Sequence, residues 1–499
     1  MRHPWLTVLL VSALSVAAFA LLLPRTQLDF VPTMDKGEMT VRLEYPADMA
    51  LERTAERTLA LARKIGALKD SHGDALARDI AITVGKPQGI LGAVSQGAYL
   101  AEISLTLKDM SERDESIEDV AEMLRGVCAD EPDVIWSALV PLIIGGSAQS
   151  AEFRILGDDL DVLNGVGLAT ARDVAADRAC ADVAHSVRIG RPETRLVPRR
   201  AVLSDLGTSP DALGATLRAS FAGLKAGRFT KGDRSYDIRV RLAQKDGFEQ
   251  IDALNFPGTE GVPFALPALA KETRTMKPVQ IVRSMKRRAV TIYANNARGY
   301  GLGTTLAALR AAAGKHLPKG YDTTIGGTAE YMDETFGEFA LVTSVAIVLT
   351  YLLLAAIMES WSMPFVILFT VPFAYLGMLV ALWLTHTTFT VFGLLAGIML
   401  VGVVVNAAIL IIDERAALIR QGLDPREATY KAAVSKYRPV LMSCTASLFG
   451  MLPMAVGSGL GSELRASIGI GSVGGILLSS LVSLYFIPAL CALKGKRTA

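Results

Sequence analysis

"RPVLMSCTASLFGMLPMAVGSGLGSELRASIGIGSVGGILLSSLVSLYFIPAL", residues 438–490, holds two apolar runs, about 440–457 and 468–491, separated by a Gly-Ser break. Each is close to the roughly 20 residues that a helix needs to cross about 30 Å of hydrocarbon. The break, "GSGLG" at 457–461, is a GxGxG string, but it lies in a turn between two membrane runs, and a nucleotide-binding reading fails on that context. Working outward, runs at about 339–357, 363–385 and 390–412 join these two, and "WLTVLLVSALSVAAFALLL" (5–23) stands alone near the N-terminus. Six membrane helices are the expectation. The chain is 51% hydrophobic with a net charge of +2, and its mean hydropathy is +0.36. That balance argues against a soluble single domain and against nucleic acid as a partner; the implied partner is the lipid bilayer.

The first run has two readings. Arg2 and the small-residue stretch "AAFA" (17–20) resemble a signal peptide, whereas the continuation through Leu21, Leu22 and Leu23 favours a retained anchor. Either sends residues 25–338 to one side of the membrane. Arg415, Arg420, Arg426, Lys431, Lys436 and Arg438 crowd one inter-helix segment, and Lys494, Lys496 and Arg497 the tail. The positive-inside rule makes both cytoplasmic, so both termini are expected inside and residues 25–338 outside the inner membrane. Cys444 and Cys491 fall in membrane runs and only Cys128 and Cys180 are exported, which is no disulfide framework.

Within the exported part, strand and helix periods alternate. "EMTVRLEYP" alternates as a strand, "ALERTAERTLALARKIGAL" repeats at helical spacing, and "ARDIAITVG" and "LAEISLTLK" are strands before the helix "IEDVAEMLRGVCA". The pattern recurs through "SAEFRILG" and "LDVLNGVGLATARDVAADRA", and again through "RAVTIYANN" and "GLGTTLAALRAAAG". Units of this size predict an α+β insertion of split-βαβ, ferredoxin-like modules. Residues 196–275 carry their own helix and strand and are expected to form a subdomain. The organisation is then a first helix at 4–24, an exported region at 25–195, the subdomain at 196–275, the exported region continued at 276–337, five helices within 338–492 and a tail at 493–499. Between two strands, "GKPQGILGAVSQGAY" places Gly85, Gly89, Gly92 and Gly97. Such backbone freedom suits a mobile gating loop on a substrate path, or equally a long flexible hairpin without function.

Enzyme motifs are absent: there is no GxxxxGK[ST] phosphate loop, HExxH zinc pair or GxSxG elbow, and His3, His72, His185, His316 and His386 show no ligand spacing. No cofactor, no metal and no enzymatic activity are expected. Work done by such a chain would draw on an ion gradient, a proton being worth roughly 2.3 kcal/mol per 100 mV.

The stretch 438–490, together with "IMESWSMPFVILFTVPFAYLG", "GIMLVGVVVNAAILIIDE" and "DFVPTMDKGEMTVRLEYP", resembles the C-terminal half of the resistance-nodulation-division (RND) exporters, helix by helix and over essentially the whole chain. The resemblance implies six membrane helices, a periplasmic porter region and a docking subdomain. It also implies a trimeric, proton-driven exporter with multidrug relatives, a periplasmic adaptor and an outer-membrane channel as further partners. The family carries its proton-bearing aspartate pair in the other half, and the apolar runs here hold no mid-membrane Asp or Glu. The expectation is therefore a separate N-terminal-half RND polypeptide, an initiating Met before "RHPW" favouring a split pair. The rival reading is a non-transporting assembly or scaffold protein, or a decayed fragment, that keeps the fold without the ion circuit. The drug exporters' phenylalanine cluster has no counterpart in residues 31–152, which contain no Phe.

Three residues are proton-relay candidates by the resemblance. Asn406 stands where many drug exporters have a lysine; an amide hydrogen-bonds a carboxylate without balancing its charge. Its alternative role is a hydrogen bond to a neighbouring helix. Ser443 aligns with the family's hydroxyl on the next helix, against the alternative of a bond to its own i−4 carbonyl. Lys436 aligns with a basic residue at that helix's start, against the alternative of a positive-inside anchor.

Overall fold

The computed structural model describes residues 4–22, 25–85, 97–140, 150–187, 191–240, 255–257, 263–277 and 281–494. They form two compact units, Met1–Val187 with Ile281–Ala499, and Arg188–Gln280.

The first unit begins with helix α1 (Pro4–Leu22) and a module made of β1 (Glu38–Glu44), α2 (Leu51–Gly66), β2 (Ala77–Val84), β3 (Leu100–Leu107), α3 (Ile117–Ala129) and β4 (Ile135–Leu139). Its sheet order is β2-β3-β1-β4 with antiparallel neighbours, the split-βαβ arrangement. The alternation that marks β1 as a strand also sets its faces. Met39, Val41, Leu43 and Tyr45 are buried in a core with Leu61 and Ile65 of α2 and Val120 and Leu124 of α3. Helix α3 starts where it does because Ser116 and Asp119 close a reciprocal capping box.

A second module repeats the topology. Strand β5 (Ala151–Gly157), helix α4 (Leu160–Ala175) and strand β6 (Cys180–His185) supply its first half. The chain then leaves for the second unit, described below, and returns as β13 (Val282–Ser284), β14 (Arg287–Asn296), α8 (Leu302–His316) and β15 (Asp322–Gly326). Strand β14 pairs with β5 and β6, and β5 with β15, so both modules carry the same strand order.

The second unit comprises β7 (Arg191–Pro198), α5 (Arg200–Asp205), α6 (Pro210–Ala222), β8 (Leu224–Lys231), β9 (Arg234–Val240), β10 (Asn255–Pro257), β11 (Pro263–Ala265), α7 (Leu266–Leu269) and β12 (Ala270–Lys277). It has a small core of its own around Leu203, Leu213, Phe256, Leu266 and Leu269. Strand β7 pairs antiparallel with β12 from Arg191↔Lys277 to Pro198↔Ala270, which closes the unit at its entry and exit.

The membrane part is α9 (Thr328–Met358), α10 (Met363–Leu368), α11 (Val371–Leu384), α12 (Val391–Arg420), α13 (Pro425–Val456) and α14 (Ser462–Lys494). Five spans here are long and apolar enough to cross a bilayer, α10 and α11 together making one; α1, with 19 helical residues, stands beside them as a shorter apolar helix. The apolar run 363–385 is broken between Leu368 and Val371. Pro372 has no N–H to donate to the Leu368 carbonyl, and just before it the Thr370 amide and hydroxyl both bond the Ile367 carbonyl, at 3.0 and 2.7 Å.

Candidate functional site

Helix α12 buries Leu400, Val401, Val404, Val405, Ala407 and Ala408 and leaves Leu395, Gly402, Asn406, Asp413 and Arg420 exposed. The five exposed positions recur at spacings of seven and four, so they form one stripe along the helix. Asn406 lies near its middle, well away from both helix ends at about 1.5 Å per residue. An exposed carboxamide at hydrocarbon depth is costly unless something hydrogen-bonds to it.

Beside this stripe lies a cavity of about 20 Å³, walled by Val403, Val404, Asn406 and Ala407 of α12, Ser443, Cys444 and Ser447 of α13, and Ile476, Ser479 and Ser480 of α14. That is space for about one water molecule with several polar partners. The Cys444 thiol donates to Ser480 Oγ at 2.8 Å, and the Ser479 hydroxyl donates to the Ile476 carbonyl at 3.1 Å. The polar lining groups are hydroxyls, a thiol and a carboxamide, each able both to donate and to accept. The bond that crosses between helices here is Cys444–Ser480, and the lining holds no carboxylic acid, imidazole or amine.

Two of the three expected relay residues, Asn406 and Ser443, thus line one cavity. Lys436 does not: two helical turns away on α13, its Nζ pairs with Glu414 Oε2 at 3.2 Å. Thr445 bonds back to the Leu441 carbonyl of its own helix at 2.7 Å. Sequence reasoning missed Cys444, Ser479 and Ser480. The available signal was the Ser-Ser pair inside the apolar stretch "GGILLSSLVSL", polar residues at the depth of Asn406.

Of the glycine-rich loop, Gly89 and Gly92 lie outside the described residues. Its stem is tied: the Gly85 amide donates to the Leu100 carbonyl at 2.7 Å and the Gly97 amide to the Gly85 carbonyl at 3.0 Å. Gly85 sits at φ +84°, where a side chain would be strained. Among the described residues no cluster of three or more His, Cys, Asp or Glu is placed to hold a metal ion.

The model of the AcrB/AcrD/AcrF family matches residues 1–494. The multidrug resistance protein MdtC of Citrobacter koseri and that of Klebsiella pneumoniae are each 29% identical over 392 residues, covering 77% of this chain and 38% of theirs. A heavy metal efflux pump in its first crystal form superposes with a TM-score of 0.84 at 25% identity, over 98% of this chain and 50% of that one. Its second crystal form gives 0.86 at 24%, over 98% and 51%. The chain thus spans about half or less of the length of these relatives.

Proposed function

The chain belongs to the AcrB/AcrD/AcrF family of RND efflux transporters, and from that membership we propose that it is the C-terminal half-subunit of a proton-driven exporter of small molecules. In this reading a separate polypeptide supplies the first half with its proton-carrying aspartates. The paired halves assemble as a trimer with a periplasmic adaptor and an outer-membrane channel. Both termini lie in the cytoplasm and residues 25–338 in the periplasm. Unit Arg188–Gln280 serves as the docking part, and the Gly85–Gly97 loop gates the substrate path.

The observation that carries the reading is the placement of Asn406 and Ser443. They share one polar cavity, and Asn406 sits on an exposed stripe of α12 that holds no mid-membrane acid. A carboxylate on a helix packed along that stripe would meet the amide, and the hydroxyls behind it would pass a proton onward.

The test is substrate efflux from cells expressing the chain with and without a first-half partner. Efflux is expected only with the partner. Asn406→Ala and Ser443→Ala should each lower it about three- to thirty-fold, the equivalent of one intramembrane hydrogen bond of about 0.6–2 kcal/mol. Full efflux from the chain alone would overturn the partner requirement. Intact efflux in both variants would remove the site and leave the exporter reading standing.

A further inference from the structure

Residues 27–30, between α1 and β1, form a strap held from two sides. On the membrane side, the Asp29 amide donates to the Phe389 carbonyl at 3.0 Å, the Phe389 amide to the Gln27 carbonyl at 2.8 Å, and the Val391 amide to the Phe30 carbonyl at 3.2 Å. On the module side, the Gly303 amide of α8 donates to the Leu28 carbonyl at 3.1 Å, and Gln27 Nε2 donates to the Gly299 carbonyl. The approach is close enough that a Cβ on Gly301 would run into the Leu28 backbone. The Phe30 ring stacks on Tyr331 of α9 with centroids 6.4 Å apart. The strap therefore joins the turn before α12 to the second module.

One carboxylic acid sits in this joint. Asp29 Oδ1 accepts from the Phe30 amide at 2.8 Å, and Oδ2 accepts from Asn296 Nδ2 at 3.3 Å. Asn296 is itself fixed, its Oδ1 accepting from the Thr305 hydroxyl at 2.9 Å. Both donors to the carboxyl are neutral. The charged neighbour acting through space is Glu118 in the first turn of α3, a like charge. Asp119 beside it is engaged with Arg298 at 2.6 Å, and the facing strap contacts Phe389 and Val391 bring no charge. The residue's surface is only partly covered, yet protein crowds the carboxyl closely enough for lost hydration to dominate: Asp29 is pushed up from 3.8 to about 7.

We propose that Asp29 is a proton-binding site of the joint, and that its occupancy sets how firmly the strap holds the α12 turn to the second module. Crowding by protein favours the neutral acid, whereas the two N–H donors favour the carboxylate, and the crowding is the larger effect. The ionised form gains by admitting water, which requires the strap to loosen. The sign follows from linkage: the closed joint binds the proton more tightly than the open one, so closure is complete below the ordinary carboxyl value and weakens as pH rises through the closed-state value. This goes beyond the export reading and needs no transport for its test.

The experiment is hydrogen exchange by mass spectrometry on the full chain in lipid nanodiscs across that pH range, with rates corrected for the chemical pH dependence. Protection of the Asp29, Gly303 and Phe389 amides is expected to fall by up to about tenfold per pH unit below neutrality and to level off above about pH 7. Asp29→Asn should hold protection high and flat. Glu118→Gln, which removes the like charge and leaves the niche intact, should move the levelling-off to lower pH. Flat protection in the wild-type chain, or an unchanged slope in Asp29→Asn, would overturn the proposal.

Discussion

Two ion pairs in this chain look alike on a contact map and differ in what they hold. Arg125 of α3 grips Asp182 of β6 with Nε–Oδ1 at 3.0 Å and Nη2–Oδ2 at 3.1 Å, and Asn295 of β14 adds a third bond to Oδ2 at 3.0 Å. The Asp182 side chain is 0% exposed, so this cluster between the two modules leaves the carboxylate no access to water. Lys436 and Glu414 are both part-exposed, and water competes for each. Removing one partner of a buried pair costs about 3–5 kcal/mol, whereas a surface pair is worth about 0–1 kcal/mol. Arg125→Ala should therefore open the first module. Cys128, one turn along α3, is fully buried with its thiol pushed up to about 12, chiefly by burial, and it is a built-in reporter. In a Cys180→Ser background, maleimide labelling of Cys128 should accelerate at least a hundredfold in Arg125→Ala, while Lys436→Met leaves it unchanged. Equal rates in both would show that the Asp182 cluster does not hold the module shut.

At the scale of elements, α11 and α14 approach each other backbone to backbone in the membrane part. A Cβ on Gly474 would overlap the Gly377 carbonyl and the Ala381 side chain, and a Cβ on Gly377 would overlap the Gly474 carbonyl. Because backbone stands in the way on both sides, no rotamer change relieves the clash. Gly474→Val should cost at least the roughly 1–3 kcal/mol of an overpacked core and lower the melting temperature in detergent; Gly214→Val, facing open space on α6, is the comparison and should not. The same region shows what periodicity discloses and what it conceals. Runs of apolar residues located the middle of every long helix. They missed the start of α9 at Thr328, because "TAEYMDETFGEF" is polar in composition although Ala329 and Met332 pack into the second module's core. They missed the first turns of α13 for the same reason, and the break at Thr370 because Pro372 costs one hydrogen bond without altering hydropathy. Asn406 was legible as a lone amide in hydrocarbon. The Ser479-Ser480 pair showed as polar residues in an apolar run, but its meeting with Cys444 did not, since a hydroxyl or thiol in a helix can bond its own backbone and the register that brings α13 against α14 is not written in either helix alone.

For the whole molecule, what matters is which pieces share a core. Helix α9 begins inside the second module, so that module and the membrane part are joined by a continuous helix as well as by the Gln27–Phe30 strap. The unit Arg188–Gln280 is joined differently. Its described residues bury a cluster of their own around Leu203, Leu213, Phe256, Leu266 and Leu269. Its entry and exit meet at the Arg191↔Lys277 pair of the β7–β12 ladder, where antiparallel Cα atoms stand about 5 Å apart. A gap of that size is closed by a two-residue turn. Replacing residues 191–277 by a short Gly-Ser link should therefore leave the two modules and the membrane helices folded, with a melting temperature within a few degrees of the full chain, because the unit's own core leaves with it. If this unit is where the exporter meets its outer partners, the same variant should insert in the membrane and fail in efflux with the first half present. Thermal unfolding in detergent reports the first outcome and cellular efflux the second. An excised chain that aggregates would show that the unit is part of the fold's foundation, and one that still exports would strip it of the docking role.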